Sequence, residues 1–124
     1  MARDSSPVLS DLLKWEVDRN WSRDAVTLTA AAPATWPMGT VLAQAANGKY
    51  SPVNPSGSGA AAASVAVLLE TVIVPAGDTA SVALRRGAIV DPALLVWPAT
   101  TTETQIATGL AGLESRGIVA RNTY

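Results

Sequence analysis

The sequence predicts a mainly-β single domain with one short C-terminal helix and an extended N-terminal arm. Three observations carry that prediction. Short apolar, β-branched runs recur between Val26 and Val90, separated by Gly, Pro, Asn and Asp. One helical pattern with both a start and a stop signal follows between Thr102 and Gly117. Residues 1–24 hold nine of the nineteen charged side chains in the first fifth of the chain, and so divide from a β-rich domain over residues 25–124. At 124 residues, the chain has room for one domain and not comfortably two.

Within the first 24 residues, Leu12, Leu13, Trp15, Val17 and Trp21 sit between the charges. Disordered tails are poor in aromatics, so two tryptophans this close need a surface to lie on. Two readings follow. One is a strand packed on the chain's own core. The other, which we favour, is an arm ordered against a partner, with Trp15 and Trp21 as anchors.

Val26-Thr27-Leu28-Thr29 alternates apolar and polar residues, as a half-buried strand does. The stretch from Ala31 to Pro37 contains two prolines and predicts no regular ladder. Val41 to Gln44 leads to Asn47-Gly48, a pair that tolerates positive φ, and a tight hairpin is predicted there. Asn54 to Gly59 reads as a loop, and the alanines at 60–63 are not expected to be helical beside it. Val65–Leu69 and Thr71–Val74 predict one long buried strand or two consecutive ones. Pro75 to Asp78 is a turn, and Ser81–Leu84 and Ala88–Val90 are strands around Arg85-Arg86-Gly87.

Thr102 with Gln105 three residues on is a capping-box pattern. Ile106, Leu110 and Leu113 follow at helical spacing, and Gly117 closes the helix before a short strand at 118–120. Gly109 and Gly112 each cost about 1 kcal/mol relative to Ala, so this helix needs packing to survive.

Composition narrows function. Without Cys or His, the chain has no disulfide, no thiolate nucleophile and none of the usual general-base or metal-ligating imidazoles. Lys14 and Lys49 are its only lysines, and neither lies in a Ser-x-x-Lys arrangement. Gly57-Ser58-Gly59 lacks the downstream glycine of a phosphate cradle. No catalytic residue, cofactor or metal is therefore predicted. A net charge of −1 draws the molecule toward neither nucleic acid nor an anionic membrane. The N-terminus lacks the apolar run of a secretory signal, and the longest uncharged stretch, Ala25 to Gly48, is broken by prolines. Synthesis in the cytoplasm is expected.

Apolar residues make up 48% of the chain and charged residues 15%, against about 25% in soluble domains. So little charge predicts apolar surface that meets another protein, and self-association is the simplest case. Arg85-Arg86 reads either as a salt-bridged strand end or as an intersubunit contact to a carboxylate or carbonyl. Trp97, between Val96 and Pro98, reads as a core or interface aromatic.

The order of several short motifs then resembles a known family. Gly39-Thr40-Val41-Leu42, Gly48-Lys49-Tyr50, Pro55, Ala66 to Glu70, Arg86 to Val90, and Val96-Trp97-Pro98 before a capped helix follow the pattern of lambda-type head decoration proteins of tailed bacteriophages. The resemblance covers roughly residues 39–119. Leu12-Leu13-Lys14-Trp15-Glu16 is similar to the longer N-terminal arm of prophage members and departs from the lambda protein.

The resemblance implies a small β-clip or "tulip" fold and a non-enzymatic role. It implies a homotrimer on the outer surface of the expanded head, at threefold and quasi-threefold points. There the trimer would hold the shell of major capsid protein against packaged-DNA pressure. It also implies an N-terminal segment that orders on the capsid by adding to a sheet of the shell protein; the contacts expected of this segment, Leu12, Leu13, Trp15, Val17 and Trp21, come from its own residues, because the arm departs from the lambda protein. Trp97, Pro98, Arg85 and Arg86 would pack in the trimer or the core. The competing reading is another virion surface module, such as a tail or fibre component recognising glycans. A small enzyme without histidine is the third, and would need a lysine of lowered pKa in a carboxylate-lined pocket.

Overall fold

The computed structural model describes residues 9–57 and 59–121. As expected, the chain is mainly β, with a single 12-residue helix near its C-terminus. Among the described residues, ten strands form three units. They are β1 (Leu13–Glu16), β2 (Arg23–Ala30), β3 (Ala34–Trp36), β4 (Val41–Gln44), β5 (Tyr50–Pro52), β6 (Ala66–Leu68), β7 (Val72–Val74), β8 (Gly77–Leu84), β9 (Ala88–Val90) and β10 (Ile118–Ala120). Two single-turn helices, α1 (Leu9–Leu12) and α2 (Arg19–Ser22), flank β1, and α3 spans Glu103–Glu114.

A closed barrel runs β2-β5-β4-β6-β8. Its longest ladder pairs β2 with β8 antiparallel, from Arg23↔Leu84 to Ala30↔Gly77. Alternation along β2 sends Val26 and Leu28 inward and leaves Ala25 and Thr27 exposed. A second sheet has the order β1-β9-β10, and β3 pairs with β7 as a separate two-stranded ribbon.

Apolar burial falls into two clusters. Leu28, Leu42, Tyr50, Ala66, Leu68 and Val74 form one. Leu12, Val41, Val67, Leu84, Val90, Leu113 and Ile118 form the other, which joins the barrel to the three-stranded sheet and α3.

The helix start is as predicted: Thr102 accepts from the Gln105 amide, and the Gln105 side chain accepts from the Thr102 amide. Gly109 and Gly112 are explained by contact. A Cβ at Gly109 would lie 2.5 Å from the Trp97 ring, and one at Gly112 would lie 3.3 Å from the Ser64 carbonyl. The missing side chains let α3 close on Trp97 and on the loop carrying Ser64.

Three local expectations need correction. The Asn47-Gly48 hairpin forms, but only Gly48 takes a positive φ (86°). Its amide donates to the Ala45 carbonyl and the Ala45 amide donates to Lys49, a three-residue loop with a left-handed last residue. Between Ala31 and Pro37 a strand does form. β3 fits between Pro33 and Pro37, so the prolines bound the ladder without interrupting it. The alanines at 60–63 contribute to one 3-10 turn, Gly59–Ala62.

The boundary expected at residue 24 coincides with no break in the described structure, because β2 runs through it. Leu12, expected to contact a partner, is fully buried (0% exposed) in the chain's own core. Within this segment a strand forms from Leu13 to Glu16, and Leu12 ends α1.

Candidate functional site

The N-terminal segment builds an exposed aromatic ridge. β1 lies antiparallel to β9 with a bulge between Leu13 and Trp15, pairing Trp15 with Ile89 and Glu16 with Ala88. The Val17 amide then donates to the Gly87 carbonyl, which anchors the end of the strand. Asp18 caps α2 by accepting from the Asn20 amide. That turn lays Trp21 over Gly87, where a Cβ would come within 2.3 Å of the indole and 3.1 Å of Val17. Only glycine fits beneath the two side chains. Trp15, Val17 and Trp21 are 54%, 55% and 50% exposed, a large apolar area for one short segment.

Charged groups hold this ridge in place. Arg23 forms a two-pronged pair with Glu16, at 3.0 and 2.7 Å. Asp24 Oδ2 accepts from Arg86 at 2.8 Å and from Arg85 at 2.9 Å. The Arg86 hydrogen bond, with help from Arg85 and against a smaller opposing effect of burial, holds the Asp24 carboxyl below its ordinary pKa. Arg86 also donates to the Trp21 carbonyl and lies 5.6 Å from the centre of the Trp21 ring. Both arginines thus form ion pairs within the chain, whatever further contact they make in an assembly.

A groove of about 400 Å³ lies against β1, lined by Leu9, Leu13, Lys14, Trp15, Glu16 and Arg23. β1 is the end strand of the order β1-β9-β10 among the described residues. A groove with apolar and charged walls beside an end strand is suited to receiving an extended segment.

Another cleft, of about 260 Å³, shares no lining residue with this groove. Trp36, Pro37, Pro52, Val96, Trp97 and Pro98 line it, together with Thr35 and Thr40. Trp97 also forms one wall of a smaller cavity of about 160 Å³, where the buried Ser64 hydroxyl has no protein hydrogen-bond partner. Beyond that wall, Trp97 packs on α3 at Gly109, and Pro98 stays half-buried at the cleft.

A family model of bacteriophage lambda head decoration protein D matches residues 3–118. The chain belongs to that family. The match extends the span suggested by the short motifs back to the N-terminal segment, so the ridge lies inside the matched region. No individual curated protein matches the chain. Membership makes this a structural protein of the phage head, associated with the capsid. No helix among the described residues is long and apolar enough to cross a membrane.

Leu13, Trp15, Val17 and Trp21 gather at the ridge and its groove, and Arg85 and Arg86 brace it. Leu12 is separated from them by burial, and Trp97 and Pro98 belong to the other cleft. Sequence reasoning missed Ile73 and Trp36. Val72-Ile73-Val74 reads as a strand buried on both faces, yet Ile73 is 78% exposed. All three residues are apolar, so no alternation in the sequence marks Ile73 as the exposed one.

Proposed function

We propose that this protein is a capsid cement: a homotrimer bound to the outside of the expanded head at threefold and quasi-threefold positions, stabilising the shell against packaged DNA. The observation that carries the reading is the exposed ridge of Trp15, Val17 and Trp21 beside the groove along β1. An extended segment of the shell protein lies along that groove, with the two indoles covering its side chains. This differs from a wholly free arm, because Leu12 and the β1–β9 ladder hold the segment to the domain. Three such ridges on one trimer act at high mutual effective concentration, so each contact can be individually weak.

The test mixes purified protein with expanded heads lacking it and images the particles. Density at the points where three shell subunits meet supports the reading; density elsewhere, or none, overturns it. A Trp15→Ala/Trp21→Ala variant should keep its fold by circular dichroism yet lose about tenfold or more in head affinity. Removing residues 1–24 outright is a poorer test, since it takes Leu12 from the core.

A further inference from the structure

We infer that the β3–β7 ribbon and the Trp36–Trp97 cleft beside it form the contact between copies of this chain, with Ile73 of one copy entering the cleft of the next. The inference rests on the trimeric reading above and assigns a surface to it.

Ile73 is the most exposed of the large apolar side chains described. A single exposed isoleucine needs no explanation, but this one is not isolated. It stands opposite Thr35 in the β3–β7 register, and Thr35 lines the cleft that also holds Trp36, Pro37, Pro52 and Trp97. Protruding side chain and apolar recess therefore adjoin on one patch. A two-stranded ribbon is marginal by itself in water, so its outer surface gains from being covered. Pro33 and Pro37 at the ends of β3 oppose further strand addition, which leaves side-chain packing as the means of cover.

Charge identifies the occupant. From Ala25 to Leu84 only Lys49, Glu70 and Asp78 are charged. Lys49 and Asp78 pair at 2.7 Å, and Glu70 accepts from the Ser81 hydroxyl. Among the residues lining the cleft there is no charge at all. A charged partner would lose its hydration here with nothing to replace it, whereas a second copy brings an equally uncharged patch. With knob and recess on each copy, every Ile73 reaches a neighbour's cleft in head-to-tail fashion, and three copies close a ring.

Ile73→Glu tests this by native mass. Ile73 is exposed, so the variant keeps the monomer fold by circular dichroism. The wild type is expected near three chain masses and the variant near one, 12.7 kDa. Trp15→Glu, on the ridge and outside the cleft's lining, is expected to stay trimeric. A wild-type monomer would defeat the trimeric reading and this surface together. A wild-type trimer that persists in Ile73→Glu, or that Trp15→Glu dissociates, would defeat this surface alone. Should Ile73→Glu misfold, Ile73→Thr keeps a β-branched strand residue and must still weaken the trimer on dilution; unchanged dissociation overturns the assignment. Quenching of wild-type tryptophan fluorescence by maltohexaose, lost in Trp97→Phe, would show the cleft open to a glycan in the assembled protein and would also overturn it.

Discussion

A methyl group at Gly109 has no room: its Cβ would come within 2.5 Å of two atoms of the Trp97 ring. Helix propensity favours alanine by about 1 kcal/mol, but overpacking of this kind costs about 1–3 kcal/mol. The clash wins, because both the helix backbone and the indole are held by packing. Gly109→Ala should therefore lower the urea midpoint, although the same change in an exposed helix would raise it. Asp24 makes a second residue-scale prediction. Its carboxyl pKa is depressed from an ordinary 3.8, chiefly by the Arg86 hydrogen bond. A depressed folded-state pKa contributes stability above the unfolded value and loses it as pH falls through the lower folded value. The melting temperature should fall on acidification below about pH 4. Asp24→Asn should melt lower at neutral pH and show a shallower acid decline. Some decline will remain, since Lys49 and Thr29 lower the Asp78 pKa in the same direction.

At the level of elements, the N-terminal strand decides how the segment before residue 24 behaves. Leu12 is fully buried among Val90, Leu113 and Ile118, so Leu12→Ala should cost about 2–5 kcal/mol of stability by urea titration. Trp15→Ala, at a half-exposed position, should change stability far less while weakening head binding. The contrast separates a residue that holds β1 to the domain from one that uses β1 as a platform. Leu12 and Trp15 look alike in sequence because both are apolar residues among charges. What distinguishes them is the pairing of β1 with β9, more than seventy positions away, and local periodicity carries no information about such a partner. The α3 cap, by contrast, was legible because Thr102 and Gln105 satisfy each other within one turn. The hairpin at Gly48 was legible for the same local reason, although the particular turn was not. β3 was hidden because prolines mark the ends of a ladder as readily as they forbid one. Closure of the barrel, and the aromatic cleft that Trp36 and Trp97 share, depend on contacts between distant segments and left no mark in local pattern.

Over the whole molecule, charge is divided sharply by location. Residues 1–24 carry nine charged side chains, while the sixty residues from Ala25 to Leu84 carry three. Charged and uncharged ends suit two different contacts. In the proposed assembly the ridge, braced by Arg23, Arg85 and Arg86, meets the shell, and the uncharged ribbon and cleft meet other copies. The two contacts should respond oppositely to salt. Ion pairs between exposed groups are screened over about 3 Å at 1 M salt, whereas apolar burial is unaffected by screening and is strengthened by excluded salts such as sulfate. Raising sodium chloride toward about 1 M should leave the native mass near three chains, and ammonium sulfate should raise the temperature at which the trimer dissociates. Dissociation by sodium chloride alone would mean that ion pairs hold the copies together, and would move the intersubunit contact from the cleft to the arginine cluster at Asp24.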